Sequence, residues 1–264
     1  GDQVCHEGDH IQYEHPEGGF LLEDVVSVSG TEKRLTVRHD GLAFESQVTG
    51  ASSKNNTDLC LIWQDVICAV KDAQSKSGKQ LDSFTVHYIH HKGSNKLKVQ
   101  HVQVTTREGE VDKWIHAINM KCQKVPGRPK KVFVIINPIS GSKTGLKVYQ
   151  KKVAPLFDLA GMHTTVTITE RSKHAVELGE HQDFSGYDAI VVVGGDGLYQ
   201  EVLLGFTVRI QKEAKVDYNN PESVFIKPAI PFGVIPTGTG NGIAGWCYGI
   251  LDEVTAALNI IRDN

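Results

Sequence analysis

The sequence predicts two folded parts: an all-β segment, then an α/β segment built on a parallel sheet flanked by helices. Short alternating segments separated by turn residues fill positions 19 to 105. The basic, turn-rich stretch Val125-Pro126-Gly127-Arg128-Pro129 then breaks the chain. Beyond it, apolar β-branched runs alternate with stretches of helical periodicity, the pattern of strand–helix–strand units.

The upstream strands are read at Gly19 to Val28, Arg34 to Arg38, Leu42 to Val48, Leu59 to Val70, Ser83 to Ile89 and Lys96 to Thr105. Val111 to Met120 follows as one amphipathic helix, with Val111, Trp114, Ile115 and Ile118 on a single face. Many strands closed by one helix with an inward Trp resembles a pleckstrin-homology domain, here over residues 17–124. That resemblance implies a β barrel whose basic loops, near Lys33, Arg34, Lys92 and Lys96, meet anionic membrane lipids. His87, His90, His91 and His101 have no Cys or acidic companion and are not read as a metal site.

Downstream, strands are expected at Lys131 to Ile136, Thr164 to Thr169, Ala189 to Val193 and Phe232 to Ile235. Helices are expected at Lys147 to Leu159, Ser172 to Leu178, Asp196 to about Gln211 and Asp252 to Ile261. In such a sheet ligands bind beyond the C-terminal ends of the strands.

Composition sets the bounds. The 264 residues carry a net charge of −3, so no global basic field recruits nucleic acid. The cluster from Lys121 and Lys124 through Arg128, Lys130 and Lys131 to Lys152 is read as a solvated face. Five scattered cysteines without ligand spacing favour a reduced, intracellular protein. Asn55-Asn56-Thr57 matches a glycosylation acceptor and is read as a loop. Neither a signal-peptide pattern nor an apolar run of membrane-span length is visible. Gly1 in place of Met suggests a fragment or processed form.

Chemistry gathers at the strand ends. Ile190-Val191-Val192-Val193 runs into Gly194-Gly195-Asp196-Gly197, a lone acid within a phosphate-friendly turn. A carboxylate there needs a divalent cation or a hydroxyl proton to justify it. The first strand ends in Asn137-Pro138-Ile139-Ser140-Gly141-Ser142-Lys143, where Ser140, Lys143 and backbone amides suit phosphate oxygens. It is not a Walker loop, because Ser142 stands where the Gly before the Lys is required. The second strand ends in Thr169-Glu170-Arg171 and the fourth in Pro236-Thr237-Gly238-Thr239-Gly240-Asn241-Gly242. Gly240-Asn241-Gly242-Ile243-Ala244-Gly245 also fits a dinucleotide fingerprint. The acid that fingerprint wants, about 20 residues on, would fall at the chain's end with no following strand.

Taken in order, these termini resemble the diacylglycerol-kinase-like catalytic domain of lipid kinases, from about Arg128 to Asn264. The matching residues are Asn137-Pro138-x-Ser140-Gly141, Thr169-Glu170 with His174-Ala175, Gly194 to Gly197, and Gly238 to Asn241. Lys152 to Phe157, the Gly127-to-Lys130 junction and Val216 to Pro221 look most like sphingolipid kinases, the ceramide kinases in particular. The Gly-Thr-Gly-Asn turn departs from the Gly-Ser-Thr-Asp expected of ceramide kinases and is closer to sphingosine and diacylglycerol kinases.

The resemblance implies that the glycine turns (Gly141, Gly194, Gly195, Gly197, Gly238 and Gly240, with Ser140, Lys143, Thr239 and Asn241) hold ATP phosphates. Asn137 and Thr169 would position the nucleotide. Asp196 would be the base on a lipid's primary hydroxyl or a Mg²⁺ ligand, and Glu201 a supporting contact. The implied protein is a cytoplasmic, peripherally membrane-associated kinase of a sphingolipid, ceramide or a long-chain base, with its oligomeric state open. These kinases continue into a second β-rich lobe that is missing here, so residues 1–264 alone are expected to have little activity. A non-catalytic ceramide-kinase-like binding protein is the other reading, and a dinucleotide-dependent oxidoreductase a third.

Overall fold

The computed structural model describes residues 11–14, 20–47, 58–73, 82–139, 141 and 143–263. The glycosylation-like Asn55–Thr57 and Ser140 lie outside them. The chain divides into two compact units: Gly1–His90 with Val99–Pro126, and His91–Lys98 with Gly127–Asn264.

The first unit is built on antiparallel strands. β1 (Ile11–Glu14), β2 (Phe20–Val28), β3 (Thr31–Val37), β4 (Gly41–Ser46), β5 (Leu59–Ile62), β6 (Val66–Lys71), β7 (Ser83–Lys92) and β8 (Lys96–Thr105) pair in the order β5-β4-β3-β2-β8-β7-β6, with β1 also on β2. β2 shares one edge between two partners: Phe20 to Glu23 pair with β1, while Ser27 and Val28 pair with β8. The predicted single strand Leu59 to Val70 breaks into β5 and β6 at a turn over 63–65. Trp63 causes the break, because its indole N–H donates to the carbonyls of Arg38 and His39, each at 3.1 Å, and pins the corner.

α1 (Val111–Gln123) lays Val111, Trp114, Ile118 and Cys122 into a core with Leu35, Phe44, Phe84 and Val86. Their three- and four-residue spacing is that of one helix face. Asn119 fastens the helix to β6, its amide exchanging hydrogen bonds with Ala69 N–H and C=O at 2.8 and 2.9 Å. Of the residues expected to face lipids, Lys33 is buried and Arg34 pairs with Glu23 at 3.5 Å.

In the second unit, β9 (Lys131–Ile136) leads through α2 (Gly145–Val148), a π-helical turn (Tyr149–Val153) and α3 (Ala154–Leu159) to β10 (His163–Ile168). α4 (His174–His181), β11 (Ala189–Gly194), α5 (Asp196–Glu213), β12 (Phe232–Pro236), α6 (Gly242–Tyr248) and α7 (Glu253–Arg262) complete it. The strands are parallel in the order β10-β9-β11-β12. The chain leaves β9 for β10 on one side and places β11 on the other, so the topological switch lies between β9 and β11. β11 is buried along its whole length, which is why it reads as an unbroken apolar run. Phe133, Ile135, Ile190 and Val192 pack with Leu198, Val202 and Phe206 of α5. Glycines let α4 and α5 touch: a Cβ on Gly205 would stand 2.0 Å from Val176 O. Arg128, expected on the solvated basic face, is buried instead and donates from Nε to Ile261 O at 3.1 Å.

Candidate nucleotide site

The loops that leave β9, β11 and β12 meet at the switch point, and their backbones interlock. Asn137 N–H donates to Val193 O at 3.2 Å, and Thr237 N–H to Gly194 O at 3.1 Å. Asp196 N–H donates to Gly240 O at 3.0 Å. Three of the predicted phosphate-loop glycines serve this contact directly. A Cβ on Gly141 would stand 2.6 Å from Thr237 O, on Gly195 2.6 Å from Gly240 O, and on Gly238 2.3 Å from Gly195 Cα. Gly141 also has φ +55, in the region that favours glycine. A Cβ on Gly194, the last residue of β11, would meet the Leu198 side chain of α5, whose Cδ2 lies 2.7 Å away. Gly197 has nothing within 4 Å of its Cβ position and Gly240 only Asp196 Oδ2 at 3.5 Å, so these two border open space.

Asp196 begins α5, where the helix dipole favours a negative charge. Its carboxylate reaches across to α6: Oδ2 accepts Gly242 N–H at 2.8 Å and Oδ1 accepts Ile243 N–H at 3.0 Å. α6 has no side-chain cap of its own. The carboxylate is only half-buried, and each oxygen keeps a second acceptor position. Asp196 thus binds the third loop to the fourth and still presents acceptor capacity outward. Sequence reading missed α6 and this clamp, since glycines at 242 and 245 mask helical periodicity and the clamp spans 46 residues. Tyr248, near the end of α6, accepts Val234 N–H at 3.3 Å, and burial pushes its phenol up to about 12.

Asn137 is half-buried and its Oδ1 accepts Ile139 N–H at 3.0 Å, shaping the first loop. Lys143 is exposed, with φ +58. In the fourth loop Asn241 folds back on Gly238, Oδ1 accepting its N–H at 3.0 Å and the amide donating to its carbonyl at 2.7 Å. Thr239 is exposed. Thr169 is buried beside β9, its N–H donating to Ile136 O at 2.9 Å. Glu201 lies exposed on α5. Among the described residues there is no group of three or more His, Cys, Asp or Glu able to hold a metal ion. A single carboxylate suits only an ion that arrives with phosphates, the usual habit of Mg²⁺.

The diacylglycerol kinase catalytic domain family matches residues 131–264, half of the chain. Human ceramide kinase is 35% identical over 180 residues, covering 68% of this chain and 34% of its own length. Ceramide kinase 1 of Caenorhabditis elegans is 30% identical over 260 residues, covering 92% and 47%. Sphingoid long-chain bases kinase 1 of Arabidopsis thaliana is 35% identical over 143 residues, covering 54% and 17%. The chain therefore spans less than half the length of these curated relatives. Its second unit supplies the matched region, and the chain belongs to the diacylglycerol kinase catalytic domain family.

Proposed function

We propose that this chain carries the ATP-binding lobe of a lipid kinase that phosphorylates the primary hydroxyl of a sphingolipid, with ceramide the first candidate. The observation that carries the reading is the convergence of the loops after β9, β11 and β12 on Asp196 at the switch point. In this reading the Gly197 and Leu198 amides of the first turn of α5, which lack intrahelical acceptors, face phosphate oxygens beside the open positions at Gly197 and Gly240, while the Asp196 amide is held by Gly240 O. Asn137, Lys143, Thr169, Thr239 and Asn241 shape or line the same rim.

Asp196 takes the proton of the acceptor hydroxyl as its oxygen bonds to the γ-phosphorus. The β–γ bridging bond breaks and ADP leaves with that electron pair. Mg²⁺, bound with the phosphates, would neutralise their charge. The Gly238-Thr239-Gly240-Asn241 turn and the long-chain-base kinase relative favour sphingosine as the second acceptor.

The first unit is read as the pleckstrin-homology-like domain that brings a cytoplasmic protein to anionic membranes. No helix among the described residues is long and apolar enough to cross a membrane. A panel of ceramide, sphingosine and diacylglycerol with labelled ATP, run on the full-length natural protein, tests the reading. Ceramide turnover supports it, sphingosine turnover shifts it to the second acceptor, and no transfer to any lipid overturns it.

A further inference from the structure

A cavity of about 520 Å³ opens in the second unit at the far end of the sheet from the switch-point loops. Asp188 and Pro231, which lead into the N-terminal ends of β11 and β12, both line it. Its size is that of a small-molecule pocket. Phe184, Tyr187, Phe206, Ile210 and Ile230 form an apolar floor, and Tyr187, Ile210 and Ile230 are only half-buried, so solvent reaches it. Edge-on ring contacts fix the aromatic part. Phe184 lies 5.5 Å from Phe206, and Phe133 lies 5.2 Å from Phe184 and 5.3 Å from Tyr187.

The facing wall, residues 226–231, has no helix or strand of its own and is held at both ends. Gln211 is wholly buried and spends its amide on this wall: Oε1 accepts Ile226 N–H at 2.9 Å and Nε2 donates to Ile226 O at 2.8 Å. Pro231 O accepts Ile190 N–H at 3.0 Å. The cavity is therefore pre-formed. Three acids line it, but each already accepts from the chain. Asp183 takes Ser185 N–H at 2.8 Å, Asp188 takes Lys130 and Lys131 N–H at 2.8 and 2.9 Å, and Glu213 takes Arg209 Nε at 2.8 Å. Lys227 is exposed on the wall and makes no ion pair among the described residues. Arg209 uses Nε and one Nη1 donor, on Glu213 and Gln182 O, of the five its guanidinium carries. Outside the cavity the apolar surface continues, since Val224, Phe225 and Ile226 are all exposed.

The geometry points to this cavity as a binding site for a single-chain anionic amphiphile, separate from the nucleotide site. The hydrocarbon chain would cover the Phe184–Phe206 floor and run out along Val224 and Phe225. The anionic head would meet the Lys227 ammonium and the remaining donors of Arg209.

Calorimetry of the 264-residue chain tests this with decanoate, 1-decanol (the same chain without charge) and acetate (the head without the chain). Decanoate should bind more tightly than decanol, and acetate should not bind. Lys227→Glu should weaken decanoate at least about fivefold, an attraction becoming a repulsion, with decanol and the melting temperature unchanged. Ile210→Asn, which makes the floor polar, should weaken both chains about tenfold. Hydrogen exchange on wild type locates the ligand even if Ile210→Asn fails to fold: decanoate should slow the amides of 184–187 and 226–230 and leave 242 and 243 untouched. No decanoate binding, equal affinity for decanol, or displacement of decanoate by MgATP overturns the inference. So does self-association of the chain that Ile210→Asn abolishes, which would give the cavity to a second copy. A chain that binds decanoate here but never MgATP keeps this inference and sinks the nucleotide reading, so the two fail separately.

Discussion

Replacing Asp196 by Ala removes both acceptors from the first turn of α6. Gly242 N–H and Ile243 N–H, now 2.8 and 3.0 Å from the carboxylate, would turn to solvent. A hydrogen bond to a charged group contributes about 1.5–3 kcal/mol and a helix N-cap about 0.5–2 kcal/mol. Gly242 is exposed and Ile243 half-buried, so water can replace part of each bond and the low ends apply. The expected cost is about 2 kcal/mol for the pair, enough to make local opening of α6 about 30-fold more frequent. Hydrogen exchange at the 242 and 243 amides reads this directly, with denaturant unfolding of the second unit as the global check. Asp196→Asn, with one carbonyl oxygen, should retain one bond and fall between. Unaltered exchange at both amides in the Ala variant would refute the clamp. An Asn variant that keeps most of the protection yet loses phosphoryl transfer would separate the chemical duty of Asp196 from its structural one.

Other positions give sharper contrasts. Gly238→Ala drives a methyl to 2.3 Å from Gly195 Cα, backbone against backbone, and should cost about 1–3 kcal/mol in denaturant unfolding. Gly197→Ala meets nothing within 4 Å in the first turn of α5 and should leave stability equal or higher, by up to about 1 kcal/mol; comparable losses in the two variants would contradict the division of the glycines. Asn119→Ala strands both backbone groups of Ala69 and should cost about 1–3 kcal/mol, whereas a silent substitution would mean water replaces the amide. Burial, reinforced by His101 and opposed by Asp72, holds the His87 imidazole below its ordinary value. The unfolded chain therefore binds the proton first, and stability present above about pH 6.5 is lost as pH falls through the folded value. Melting curves from pH 7.5 to 5 should show a shallower decline for His87→Gln, and an identical slope would exclude the residue.

The second unit was the more legible in sequence because its signals are local. An unbroken apolar run such as Ile190 to Val193 announces a strand buried on both faces, and the turn after each strand carries its own chemistry. Every strand predicted there is present within a residue or so. The failures are tertiary. Nothing near Trp63 says that its indole will reach two carbonyls some 24 and 25 residues back and split a strand. Nothing in the run from Lys121 to Lys131 says that Arg128 will bury itself on the carbonyl of Ile261. The partners of Asp196 were invisible for the same reason. A carboxylate's acceptors are filled by whatever the fold brings near, and here that is a helix beginning 46 residues later.

The glycines show why a motif and a contact should be kept apart. Gly141, Gly195 and Gly238 each stand within 2.6 Å of another loop's backbone at the point where a Cβ would project. Any side chain there separates the loops, and a ligand held between them would be lost even if it never touched the substituted residue. Loss of nucleotide binding in those variants is therefore weak support for direct contact. Gly197 and Gly240 carry the stronger information, because a methyl there disturbs no backbone and can only obstruct what occupies the open side. A fall in ATP affinity on Gly197→Ala, with stability held, would place phosphate at the start of α5. Unchanged affinity would show that the ligand does not occupy the open side of Gly197, and the chemical duty of Asp196 would then rest on the Asn variant.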